Sequence, residues 1–224
     1  MTSESYFFLA GASRGVGREI AKCLVEQNYQ VKALLRSLDS QGELEAMGIK
    51  VVMGNALALV GVETAMAGDE PIKAVISTIG GLPKDGERAD YLGNKNLIDA
   101  AVKAKVQKFI LISSIGSGES SAALSPQVLS TLGPVLVEKE KAEKYLIDSG
   151  LTYTVIRPGG LKSEPATGNG VLTTNCKVAG TIHRADVAQL VCKCLISEAA
   201  NNQVFSAIDR NMVYGQLEYE EFLL

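Results

Sequence analysis

The chain has 224 residues, a net charge of −3 and 46% hydrophobic residues, which suits one large α/β domain with a sizeable core. Acids and bases are interspersed and no apolar run reaches the roughly 18 residues of a membrane span, so neither a nucleic-acid nor a membrane partner is expected. The start MTSESYFF lacks a leader pattern, Cys23, Cys176, Cys192 and Cys194 lack zinc-site spacing, and His183 is the only histidine, so free thiols, a reducing cytoplasmic compartment and no metal are expected.

Residues 6–10, YFFLA, are apolar without alternation, which predicts a short buried strand. Gly11, Gly15 and Gly17 follow at spacing G-x-x-x-G-x-G. Glycine tolerates positive φ and has no Cβ to hold a ligand off the backbone. The N–H groups that open the helix behind such a turn favour a phosphate. Gly11, Ser13, Arg14, Gly15, Val16 and Gly17 are therefore the expected cradle for a dinucleotide pyrophosphate. A helix is predicted over 18–28 and a second strand over 30–35, with Arg36 at its end. An NAD site places Asp or Glu there, whereas a basic residue accommodates the 2′-phosphate of NADP. Arg36, with Arg14 as a second guanidinium, points to NADP(H).

A short helix is predicted over 43–47 and a third strand over 49–53, closed by Gly54-Asn55-Ala56. A polar side chain here reaches an adenine edge or simply makes the turn. A helix over 60–67 leads to a strand over 73–77 and then Thr78-Ile79-Gly80-Gly81, a backbone able to lie flat under the cofactor ribose. A polar loop over 82–88 and a helix over 90–105 precede the fifth strand, Lys108–Ile112, which ends in Ser113-Ser114. Residues 116–131, rich in Ser and Gly, are the expected mobile substrate loop at the carboxyl end of the sheet. A helix over 134–149 with Gly150 as its cap leads to a strand over 151–157 and then Pro158-Gly159-Gly160. Residues 161–181 read as irregular and substrate-facing, 186–196 as a helix and 204–208 as a last strand. In the tail Leu217, Tyr219, Phe222 and Leu223 are expected to dock on the body. Strands and helices alternate with no linker or repeat. The expected fold is a single α/β domain, a doubly wound, mostly parallel Rossmann sheet.

The segments AGASRGVG, LLRS, GNA, ISTIGG and ILISS, followed by EKEKAEKYLIDSGLTYTVIRPGGL and IHRADVA, resemble the short-chain dehydrogenase/reductase superfamily. The last two resemble its atypical, NmrA-like branch, which includes biliverdin-IXβ/flavin reductases and plant and cyanobacterial NADP-binding relatives. The resemblance spans essentially the whole chain and implies a Rossmann fold with NADP(H). Two features depart from it. The atypical branch usually has glycine where this chain has Arg14, and the superfamily's Tyr-x-x-x-Lys pair, on the helix after the fifth strand, is incomplete. Its lysine is Lys139, but its tyrosine position holds Val135. The string YLGNK at 91–95 has the right spacing but precedes the fifth strand, and is rejected. Tyr145 faces the core on periodicity. The resemblance further implies that Lys139 binds the nicotinamide ribose and that Ser114, with Ser113 as the neighbouring alternative, hydrogen-bonds the nicotinamide or the substrate. Pro158 and Gly159 border the same site. His183, ahead of Asp186, reads as a capping or surface residue.

The missing tyrosine has a chemical consequence. Reducing a simple ketone develops alkoxide charge and needs a positioned acid. A flavin, bilin or quinone delocalises that charge, so the protein need only hold the dihydronicotinamide against it. The reading is an NADPH-dependent reductase of a planar conjugated acceptor. The alternative is a non-catalytic NADP(H)-binding sensor or scaffold, and a sugar epimerase or dehydratase ranks last.

Overall fold

Alternation along the first strand sets the two layers of the molecule. Phe7 and Leu9 enter one apolar cluster, Phe8 and Ala10 the other, as side chains of successive strand residues must. The structure is a computed structural model and describes residues 5–68, 70–81, 88–215 and 218–224.

In chain order the elements are β1 (Tyr6–Ala10), α1 (Gly15–Glu26), β2 (Val31–Leu35), α2 (Gln41–Ala46), β3 (Lys50–Met53), α3 (Leu59–Met66), β4 (Ile72–Ser77), α4 (Leu92–Lys103), β5 (Lys108–Ile112), α5 (Pro126–Asp148), β6 (Thr152–Pro158), β7 (Gly160–Lys162), β8 (Gly170–Thr173), β9 (Thr181–His183), α6 (Arg184–Ile196) and β10 (Gln203–Asp209). Eight strands form one sheet in the order β3-β2-β1-β4-β5-β6-β10-β8. Every pairing in it is parallel except β10 with β8. Leu9 stands between Ala33 of β2 and Ile76 of β4, so β1 is the point where the strand order reverses. In open α/β sheets the ligand crevice lies outside the carboxyl ends of the strands at that point. Helices α1, α2 and α6 cover one face of the sheet, and α3, α4 and α5 the other. This is the doubly wound Rossmann architecture. No described helix is long and apolar enough to cross a membrane.

The predicted strands and helices are all present, with ends shifted by a few residues. Three expectations are corrected. Residues 116–131 are not one loop: a 3₁₀ turn occupies Gly118–Ala123 and α5 begins at Pro126. The Ser125 side chain accepts from Val128 N at 3.4 Å and Pro126 fills the first turn, a start signal that outranks the one at Pro134. Pro134 then lies inside the helix and forfeits one backbone hydrogen bond. The turn ahead of it is largely solvent-facing. Second, residues 161–181 contain β8, which joins the main sheet, and parts of β7 and β9, which pair with one another. Short runs such as GLK and TIH are too brief to show a period. Third, the tail docks through Phe222, whose N–H donates to Leu172 O at 2.7 Å and whose ring lies 4.7 Å from that of Phe205. Tyr219 packs on the small cluster around Val171 and Ile208, while Leu223 is 85% exposed. Leu217, and all of the expected 82–88 loop except Arg88, lie outside the described residues.

Candidate dinucleotide site

The glycine turn is shaped by what it packs against. Gly11 has φ +97° and Gly15 φ +59°, the left-handed region in which glycine is at ease. A Cβ on Gly11 would overlap Thr78 Oγ1, and one on Gly17 would overlap the carbonyl of Gly11. Thr78 Oγ1 lies 3.2 Å from the carbonyl oxygens of both Ala10 and Gly11, and its N–H donates to Ala10 O at 3.0 Å. The carboxyl ends of β1 and β4 are thereby stitched together directly beneath the start of α1. Arg14, in extended conformation at the helix N-cap, makes no side-chain cap, and the first turn of α1 contains no acid. Its N–H groups and partial positive charge are left to an anion. Ser13, Arg14 and Gly15 are exposed and Val16 is buried, so the rim is accessible and the base is packed. These residues fit a dinucleotide pyrophosphate.

Arg36 is exposed immediately beyond β2, where the 2′-position of an adenine ribose is read. Asn55 is exposed, and its Oδ1 accepts from Leu57 N at 3.0 Å. The side chain thus closes its own turn, the second of the two uses open to it. Ala56 presents its carbonyl to Asn96 Nδ2 at 2.8 Å.

Four residues missed by the sequence reading lie along the same edge. Asp90 is fully buried. Its Oδ2 accepts from Arg88 Nε at 3.2 Å, and its Oδ1 lies 3.4 Å from Lys139 Nζ. A Cβ on Gly80 would stand 2.5 Å from that Oδ1 and 3.1 Å from Lys139 Nζ, so the pair rests directly on the backbone that follows β4. Glu143 and Arg157 are buried opposite one another: Nε donates to Oε1 at 3.2 Å and Nη2 to Oε2 at 2.6 Å. Ser113 Oγ donates to the same carboxylate. The two serines therefore differ in their surroundings. Ser113 is buried and its hydroxyl is tied to Glu143, whereas Ser114 is half-buried and, among the described residues, its hydroxyl donates to Ile115 O at 3.0 Å. Only tertiary folding brings Glu143 and Arg157, from α5 and β6, against Ser113. Nothing local marked Asp90 either, in a run that reads as polar loop and helix start.

Arg184, the first residue of α6, donates from Nη1 to Ser163 Oγ at 2.7 Å and to Leu161 O at 3.3 Å. Its Nε lies 3.7 Å from where a Cβ on Gly15 would be. It therefore joins the phosphate turn to the segment after β7, and IHRADVA was its signal. Pro158 ends β6 and its carbonyl accepts from Ile115 N at 2.9 Å. A Cβ on Gly159 would overlap Gly180 O, so packing alone requires glycine there.

Tyr91, Lys95 and Tyr145 are engaged with one another. Lys95 pairs with Asp99 at 2.6 Å and lies over the Tyr145 ring, and Tyr145 hydroxyl donates to Asp99 at 2.7 Å. Tyr91 packs edge-on against the same ring. Both residues of the YLGNK pair thus serve the α4–α5 contact. Val135 is one helical turn before Lys139 on α5. His183 is corrected: it is buried, at the α6 N-cap position without a side-chain cap bond, with Nδ1 3.6 Å from Asp186 and Nε2 3.6 Å from Glu164. His183, Asp186 and Asp209 bring ligand-type atoms within 4.8 Å of one another. Both carboxylates are already held by donors from Thr167, Gly168 and Asn211, the pattern of a buried polar staple between α6, β10 and the intervening loop.

Comparison with known proteins agrees with this geometry. ChuY, an anaerobilin reductase from Escherichia coli O157:H7, superposes with a TM-score of 0.84 at 33% identity over 92% of this chain and 98% of that one. An uncharacterised sugar epimerase, YhfK of Bacillus subtilis, is 32% identical over 88% of this chain and 91% of its own length. Sanguinarine reductase of Eschscholzia californica is 29% identical over 88% of this chain and 86% of its own. A family described as NAD(P)H-binding matches residues 11–198, from the glycine turn to just past α6. The cofactor is of the NAD(P)H type, and the chain belongs to the NAD(P)H-binding, NmrA-like family.

Proposed function

We propose that the protein is an NADPH-dependent reductase that delivers hydride to a planar conjugated acceptor of the flavin, bilin or quinone type without a tyrosine acid. The observation that carries this reading is the combination at the carboxyl ends of β4 and β5. Lys139 lies beside Gly80 after β4, Ser114 follows β5, and the position one turn before Lys139 is an apolar valine. A ketone reductase lacking a positioned acid there would leave its alkoxide unsupported. A conjugated acceptor needs no such partner, because its own π-system spreads the charge. Relatives named for anaerobilin and sanguinarine support the acceptor class.

NADPH, when bound, supplies the hydride. The chain's residues hold and orient. The α1 N-terminus and Arg14 take the pyrophosphate, and Arg36 takes the 2′-phosphate bidentately. Thr78 and Gly80 give the ribose a flat floor, Lys139 bonds its hydroxyls, and Ser114 orients the nicotinamide or the acceptor. Holding both partners in register is itself worth several orders of magnitude in rate.

Steady-state NADPH oxidation with FMN, biliverdin and a soluble quinone tests the proposal. Turnover with at least one of them is expected. NADPH binding with no turnover of any of them would contradict it and favour an NADP(H)-binding sensor.

A further inference from the structure

Asp90 is a fully buried carboxylate, and a buried charge persists only where partners compensate it. One oxygen has them: Oδ2 faces Arg88, with Nη2 at 3.1 Å, and the N–H of Gly81 at 3.5 Å. The other does not. Among the described residues Oδ1 accepts no hydrogen bond, and Lys139 Nζ stands 3.4 Å from it. The lysine reaches this place from α5, across the end of the sheet, with its side chain only 18% exposed. A lysine stem is flexible and its ammonium strongly hydrated, so without an anchor it would sample solvent at the rim of the site. The pair also explains the glycine at position 80, since any side chain there would displace both groups.

We infer that Asp90 is the positioning residue for Lys139, fixing its ammonium beside the backbone that follows β4, where it meets the nicotinamide ribose of NADP(H). The inference rests on the reading of Lys139 given above. Asp90 touches neither cofactor nor substrate. It acts by selecting one lysine rotamer, while Arg88 on its other oxygen keeps the local charge positive. A charge contact at 3.4 Å, with no hydrogen bond to Oδ1, leaves the ammonium free to direct its donors toward the ribose hydroxyls.

The test is a double-mutant cycle read by calorimetric titration of wild type, Asp90→Asn, Lys139→Met and the double variant. Two ligands are used: NADPH, and adenosine 2′,5′-bisphosphate, which carries the 2′-phosphate end but no nicotinamide ribose. Each single variant is expected to lose about tenfold in NADPH affinity, the loss of one charge-assisted bond, with the bisphosphate affinity unchanged. The double variant is expected to bind NADPH no worse than either single one, because the two residues act as a unit. Wild-type NADPH affinity in Asp90→Asn, additive losses, or a parallel loss of bisphosphate affinity would overturn the inference. If Asp90→Asn does not fold, Asp90→Glu, which keeps the charge and moves it, takes its place in the cycle under the same criteria. A wild type that binds neither ligand would overturn the NADP(H) site itself, a result distinct from any of these.

Discussion

At the scale of single residues, adjacent side chains with the same chemistry have separate duties. Ser113 and Ser114 follow one strand, so they face opposite ways, and the sheet sends one inward to Glu143 and leaves the other at the crevice. Ser113→Ala removes a bond to a buried carboxylate and is expected to destabilise the fold by about 1.5–3 kcal/mol. Ser114→Ala is expected to leave stability within about 0.5 kcal/mol while lowering kcat/KM with the preferred acceptor. Thermal unfolding and kinetics on the two variants check this, and equal effects on both readouts would contradict the division. Arg36 belongs to the same scale. Arg36→Asp places a carboxylate where the 2′-phosphate is read, and is expected to weaken NADPH binding by more than about tenfold, the value of one lost charge-assisted contact, and NADH binding far less. Titration with both nucleotides decides, and an equal loss would remove the 2′-phosphate assignment. The places of Arg36 and Arg14, beside a strand end and in the glycine turn, were legible because the elements that flank them are marked in sequence. Asp90, Glu143 and Arg157 were not, because each acquires its meaning from a partner on another element.

At the scale of elements, the glycine turn is a packing device before it is a ligand site. Gly17 lies against the carbonyl of Gly11, and Gly11 against Thr78 of the neighbouring strand. Gly17→Ala would force α1 away from β1, and is expected to abolish NADPH binding and lower the unfolding temperature; retention of wild-type affinity would show that the helix start can shift without consequence. The strand–turn–helix order was readable because the period changes from a continuous apolar run to a helical one across three glycines. Helix α5 was read too short because a Ser-Pro start and an interior proline compete in sequence, and only tertiary context shows that residues 126–133 continue outward as helix. Helix α6 brings its cysteines inward. Cys192 and Cys194 are both buried, and burial pushes the Cys194 thiol up to about 12. The Cys23 thiol is held below its usual range by a hydrogen bond with Cys192. Iodoacetamide is therefore expected to alkylate Cys23 well before Cys194 in the native protein, because the thiolate is the nucleophile. Mass-spectrometric mapping over time checks the order, and faster labelling of Cys194 would contradict the packing of α6.

For the whole molecule, the architecture places one chemistry at one edge. The strand order reverses at β1, and the proposed function assigns the nucleotide half to the carboxyl ends of β1, β2 and β4 and the reacting half to those of β4 and β5. The alternating sheet was legible through its repeated strand–helix rhythm. The covering segments around β7, β8 and β9 were not, because strands of three or four residues carry no period and their pairing partners are distant in sequence. The central claim is that this edge delivers hydride directly to a conjugated acceptor without a tyrosine acid. The most direct measurement is transfer from NADPH deuterated at its reducing carbon to biliverdin, followed by mass spectrometry of the product after a single turnover. The account predicts one deuterium bound to carbon in the reduced bilin. Reduced bilin without the label, or no reduced bilin while a simple ketone is turned over under the same conditions, would contradict it.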